Sequence, residues 1–211
     1  MIRILDCKNP NYLSRLKLIL NKRRFKSKIN TDIVIKIVKD IKKIKQKALL
    51  KYEKKFSKNT KIKPTKNEIN KSIKSLDPKI KNAIDFAYSR ILKFHSLQKN
   101  KNIKYVDKQN NKIEYRYIPI QSVGIYVPSN LPSTLLMNAI LAKKVAGVKR
   151  VVLANPSLNG KLNPAVMYAA KKCGISEIIS VGGSQAIASL AYIQKVNKIV
   201  GPGNDYVARA K

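Results

Sequence analysis

The sequence holds no tryptophan, one histidine and two cysteines, and its 11 acidic residues face 45 lysines and arginines. Each scarcity excludes something. Cys7 and Cys173 lie far apart with no C-x-x-C spacing, which removes a disulfide framework and a zinc ribbon. His95, the one histidine, cannot build a histidine-rich metal centre with the rest of these residues. No apolar run approaches the ~20 residues that span a bilayer, and the opening MIRILDCKNPNYLSRLKLIL carries scattered charges and no unbroken apolar core of a secretory signal. A soluble cytoplasmic protein is therefore expected. The nucleotide fingerprints G-x-G-x-x-G and G-x-x-x-x-G-K-[ST] are both missing.

What is present in excess is positive charge, +34 over 211 residues. One reading is a polyanionic partner such as nucleic acid. The plainer reading is a codon bias toward Lys, Ile and Asn. Lys far outnumbers Arg, the better fork for phosphates and base edges, and the lysines are spread over nearly every polar face. A basic nucleic-acid-binding module is therefore the less favoured alternative.

The chain divides by composition. Residues 1–118 hold most of the excess lysine and read mainly as helix. Over 31–57, Ile33, Ile37, Ile41, Ile44, Ala48 and Tyr52 recur near helical spacing and predict one amphipathic helix. Thr65-Lys66-Asn67-Glu68 fits a capping box that opens a helix toward Leu76. Asp77-Pro78 fits an N-cap with proline at the first helical position, opening a helix toward Leu97 with Ile80, Ile84, Ala87, Ile91 and Phe94 as its buried stripe. Residues 103–118 read as a β-hairpin around Gln109-Asn110-Asn111.

Residues 119–211 alternate strand and helix. SVGIYV (122–127), RVVLAN (150–155), EIISV (177–181) and KIV (198–200) are β-rich, and 132–148, 163–174 and 184–192 are helical in pattern. The expected fold is α/β, a Rossmann-like parallel sheet with flanking helices, preceded by the helical N-terminal region and the hairpin. Ligands in such sheets bind outside the carboxyl ends of the strands. Three features fall there: Tyr126-Val127-Pro128, Gly182-Gly183-Ser184-Gln185 and Gly201-Pro202-Gly203-Asn204. Glycines let the backbone approach a ligand, and helix N-termini offer free N–H groups to an anion. Gln185 and Asn204 can donate and accept, and Tyr126 can stack or donate. The acid–base inventory is thin. The only carboxylates in 119–211 are Glu177, at the amino end of its strand, and Asp205, a first-turn helix carboxylate. His95 reads as a packing residue.

The segments VGIYVP, PSTLLMNAILAKKVAGV, NPAVMYAAKKCGISEIISVGGSQAIASLAY and KVNKIVGPGNDYVARAK resemble, in order, the first large domain of the histidinol dehydrogenase family. IRILD, ALLKYEKKF and FHSLQ agree with its N-terminal region. The resemblance runs from Ile2 to Lys211 and covers about half of a usual member. It implies an NAD-linked, zinc-dependent, homodimeric enzyme that oxidises L-histidinol through the aldehyde to L-histidine, ending histidine biosynthesis. By position, the family's NAD contacts fall on Tyr126, Gln185 and Asn204. Its zinc ligands, acid–base pair and substrate contacts are expected beyond residue 211, so no catalytic or metal residue is expected within these 211. The resemblance departs from the family at Ser129-Asn130-Leu131, a shortened loop, between Tyr192 and Lys195, and at Gln46-Lys47. The expectation is a truncated copy or fragment that is inactive without the rest, with half of a split enzyme or a decayed relic as alternatives.

Overall fold

The computed structural model describes residues 5–25, 31–128, 130–157 and 159–211. Ser129 of the shortened loop and Ile2, Arg3 and Ile4 of the IRILD match lie outside them. Four helices come first: α1 (Tyr12–Phe25), α2 (Thr31–Ser57), α3 (Lys66–Lys74) and α4 (Pro78–Ser96). The hairpin strands β1 (Ile103–Val106) and β2 (Lys112–Tyr115) follow. Then β3 (Ser122–Tyr126), α5 (Pro132–Ile140), β4 (Arg150–Ala154), α6 (Pro164–Lys172), β5 (Glu177–Ile179), α7 (Gly183–Tyr192), β6 (Lys198–Val200) and α8 (Asp205–Ala210) alternate.

The four later strands form one parallel sheet in the order β5-β4-β3-β6. The chain steps outward from β3 to β4 to β5, then returns past β3 to lay β6 on its other side. That reversal creates a switch point between the carboxyl ends of β3 and β6, where the loops leave in opposite directions and open a crevice.

All five residues of β3 are buried, as a parallel strand covered on both faces requires. Alternation sorts its side chains. Val123 and Ile125, with Val151, Leu153 and Ile178, pack among residues of α4, α5 and α6, with α3 side chains at the margin. Tyr126, with Val152, Ala154 and Ile179, packs on the opposite face among residues of α2, α7 and α8. The result is three layers, with the helix α2 from the lysine-rich part forming much of one outer layer. The segment after α2 runs beside the end of β5: Asn59 Nδ2 donates to Ser180 O (2.8 Å) and Ser180 N–H to Ile62 O (2.7 Å).

The helix starts are those the sequence announces. Thr65 Oγ1 accepts from Glu68 N–H (3.3 Å) while the Glu68 carboxylate accepts from Thr65 N–H (2.7 Å), closing the capping box. Lys61 also donates to Glu68 (2.6 Å), and these bonds hold the carboxyl down to about 2. Asp77 caps α4 through Lys79 N–H (2.7 Å).

Some expectations need correction. The helix over 31–57 is kinked: Ile44 and Lys45 leave helical geometry, with Lys45 at φ +46°. Ile37, Ile41, Ala48 and Tyr52 are buried, but Ile33 and Ile44 are exposed, because the buried stripe begins at Val34 rather than Ile33 and the kink displaces Ile44 from it. In α4 only Ile84 is buried; Ile80 and Phe94 are exposed, since α5 and α6 cover a narrower face than the periodicity suggests. The helix over 132–148 is α-helical to Ile140 and then widens into a π-turn, Leu141–Val145. The hairpin turn opens earlier than expected, at Asp107, whose carboxylate accepts from Gln109 N–H (2.9 Å) and Asn111 N–H (2.8 Å).

Gly124 shows how closely α7 lies on β3. A Cβ there would stand 2.9 Å from Leu190 Cδ2 and 3.0 Å from Val196 Cγ2. Gly124→Val is expected to overpack this contact and cost about 1–3 kcal/mol, read as a lower denaturant midpoint with an unchanged slope.

Candidate functional site

The carboxyl edge of the sheet is built from the ends of β3, β4 and β5 and the turn after β6. Val127 N–H donates to Ala154 O (2.9 Å), Asn155 N–H donates to Ile179 O (3.0 Å), and the buried Asn155 Nδ2 donates to Val127 O (2.9 Å). These bonds extend the register past the strands and fix where Tyr126 ends.

Tyr126 is 5% exposed and points into the layer of α2 and α7. Its hydroxyl accepts from Gly183 N–H (3.3 Å) and donates to no described residue. Burial raises its pKa. Gln185 is 4% exposed in the first turn of α7. Its Nε2 donates to Glu53 Oε1 (2.8 Å), and Gly182 N–H donates to the same oxygen (3.2 Å). Two of the expected residues thus meet at the start of α7, Tyr126 through the Gly183 N–H and Gln185 through Glu53.

Asn204 is placed differently. It is exposed, and its Oδ1 caps α8 by accepting from Val207 N–H (3.2 Å). The turn that carries it is tied to Tyr126 through the backbone. Gly201 has φ +114°, and a Cβ there would collide with the Tyr126 carbonyl oxygen. Only glycine permits that approach. The Gly-Pro-Gly-Asn turn therefore lies against the end of β3 at the switch point.

Two of the N–H groups expected to be free for an anion are used at α7: Gly182 N–H donates to Glu53 and Gly183 N–H to Tyr126, because a carboxylate of the chain already sits at this helix end; those of Ser184 and Gln185 donate to no described residue. Glu53 is the residue that sequence reasoning missed. It stands in a run of lysines and reads as a solvated charge. The signal was its spacing: it follows buried Leu49 by four residues, which places it on the buried face of α2. It is fully buried, and its Oε2 has no hydrogen-bond partner among the described residues. Burial raises its pKa, against the opposing effect of the Gln185 and Gly182 donors.

The remaining candidates stand apart. Glu177 pairs with Arg150 (2.7 Å) at the amino end of the sheet. His95 Nδ1 lies 2.7 Å from Gln98 Oε1 near the end of α4. Asp205 sits in the first turn of α8. No group of three or more His, Cys, Asp or Glu side chains placed to hold a metal occurs among the described residues.

A family model described as histidinol dehydrogenase matches residues 20–211. The chain belongs to the histidinol dehydrogenase family. The histidinol dehydrogenase of Pelagibacter ubique (strain HTCC1062) is 59% identical over 218 residues, covering 100% of this chain and 51% of that protein. That of Rhodospirillum rubrum is 38% identical, covering 92% of this chain and 47% of the relative. The crystal structure of histidinol dehydrogenase from Elizabethkingia anophelis superposes with a TM-score of 0.81 at 38% identity, over 88% of this chain and 45% of that one. The chain thus spans about half the length of the histidinol dehydrogenases it matches.

Within this histidinol dehydrogenase sheet, the raised pKa of Glu53 makes a prediction about stability. A carboxyl whose folded pKa lies above its unfolded value binds protons more tightly when folded, so stability falls as pH rises through the folded pKa. Glu53→Gln carries no such penalty. Its melting temperature is expected to match the parent's near pH ~4, the range of an ordinary glutamate, and to exceed it progressively as pH rises. Parallel melts of the two proteins across pH check this; a constant gap would contradict the buried charge.

Proposed function

We propose that these residues form the NAD-side half of a histidinol dehydrogenase, an oxidoreductase that converts L-histidinol through the aldehyde to L-histidine. The observation that carries the reading is that Tyr126, at the end of β3, meets both the start of α7 that bears Gln185, through Gly183 N–H, and the Gly201 turn after β6, which lies against its carbonyl oxygen. Brought together there are a phenol proton given to no described residue, a carboxamide oxygen accepting from none, and a glycine backbone pressed on a strand end. Such unused polar functions beside a close backbone approach suit a nucleotide cofactor.

NAD supplies a hydride acceptor when bound. The chain's own part is to hold and orient it. Tyr126 offers its hydroxyl proton, Gln185 its carboxamide oxygen, and Asn204 the Nδ2 left over from capping α8. The buried apolar residues beneath them, Val127, Ala154 and Val181, keep water from the inner side. Residues 119–211 are taken as the cofactor-side unit and 1–118 as the helical and hairpin region that completes it. Zinc does not fit these residues, because the described acidic, histidine and cysteine side chains make no cluster, and no step is assigned through it. No helix among the described residues is long and apolar enough to cross a membrane. A cytoplasmic homodimer is the setting that suits the family reading.

The test is calorimetric titration of the 211-residue chain with NAD. Tyr126→Phe and Asn204→Ala are each expected to weaken binding several-fold, about the effect of one hydrogen bond. Asn204→Ala also removes a cap and costs about 1 kcal/mol of stability, so binding is compared at a temperature where both proteins are folded. Mixed with L-histidinol and NAD, the chain by itself is expected to form no NADH; its formation would overturn the division of labour proposed here.

A further inference from the structure

Gln185 poses a question that its position leaves open. A carboxamide can turn either its oxygen or its amino group toward a ligand, and the two ends differ little in shape. Here the choice is made by a residue 132 positions away in sequence. Glu53 Oε1 lies 2.8 Å from Gln185 Nε2. A carboxyl oxygen without a proton only accepts, so the amino group of Gln185 must face Glu53. This holds whether Glu53 is ionised or carries its proton on Oε2.

The carboxyl group is itself held. Gly182 N–H donates to the same Oε1 (3.2 Å), the side chain is fully buried, and it projects from α2, which packs along α7. The positive end of the α7 dipole also favours it. With Nε2 pinned, Gln185 Oε1 is left over Gly183, where a Cβ would stand 3.0 Å from it. That oxygen accepts from no described residue.

We infer that Glu53 is a positioning residue: it locks Gln185 as a hydrogen-bond acceptor, so that the cofactor group meeting Gln185 is a hydroxyl or amine donor and not a phosphate. The inference rests on the reading of Gln185 as a cofactor contact. At the start of α7 the Gly182 and Gly183 N–H groups are already used, which leaves a phosphate there two fewer donors than an open helix end would offer.

The test uses four variants of the whole chain, Glu53→Leu, Glu53→Gln, Gln185→Leu and the Glu53→Leu/Gln185→Leu pair, each titrated with NAD and each melted to confirm folding. Glu53→Leu removes the acceptor and is expected to weaken NAD binding about tenfold, the loss of one orienting hydrogen bond. Glu53→Gln keeps an oxygen facing Gln185 and is expected to stay within about threefold of the parent. In the Gln185→Leu background the Glu53→Leu change is expected to add nothing. A purely structural role would carry its loss into that background, and that result would overturn the inference, as would full NAD affinity in Glu53→Leu. Should Glu53→Leu not fold, exchange of the Gln185 side-chain amide protons with solvent, followed by nuclear magnetic resonance in the parent, decides instead. Slow exchange relative to the exposed Gln109 is expected, and equal rates overturn the inference. A parent chain that does not bind NAD brings down the cofactor reading itself, whereas NAD binding indifferent to Glu53 brings down this inference only.

Discussion

Strand β3 must be hidden on both faces, and most of the structure follows from that. Its two sides demand two layers of helix, and its two edges demand two parallel neighbours, β4 and β6. Gly124 lets α7 come down onto the strand without a side chain between them. That contact is made by the far end of α7; at its start, beyond the end of β5, Gly183 N–H reaches across to the Tyr126 hydroxyl. The Gly201 turn then closes on the Tyr126 carbonyl from the other edge. The candidate site is thus the place where the covering of β3 stops and its last polar groups emerge.

Two glutamates at opposite ends of the sheet show how position sets the role of one residue type. Glu177 begins β5 half in solvent and pairs with Arg150, an arrangement worth little in stability because water competes for both partners. Glu53 is buried and pairs with no cation among the described residues; it is held by two N–H donors at a helix end. An uncompensated buried carboxylate is expensive, and its cost is the kind of local conflict expected beside a working site.

The architecture was legible where local chemistry speaks for itself. The β-rich runs around 122–127 and 150–155, the Thr65–Glu68 capping box and the Asp77-Pro78 start all reflect neighbours within a few residues, and the structure forms them as the sequence suggests. The kink at Ile44–Lys45 was not legible, because neither glycine nor proline marks it. The exposure of Ile80 and Phe94 was not legible either: periodicity says which face of a helix is apolar, not how far its neighbours extend. Tyr126, Gln185 and Asn204 were picked out as polar residues at strand ends. Glu53 was invisible by that route, since its role depends on contacts 129 and 132 residues distant in a stretch whose lysines suggest solvent.

The strand order has a consequence for how the molecule comes into being. β3 cannot acquire its second edge until β6 has been made, and 75 residues separate Ser122 from Asn197, which hold the start of that pairing together. Loops of such length close slowly, and parallel pairings yield nothing until they do. The crevice at the switch point therefore cannot exist before β6 pairs with β3. During synthesis, the helices and the β3–β4 pair must wait beside a half-covered strand until β6 has been made.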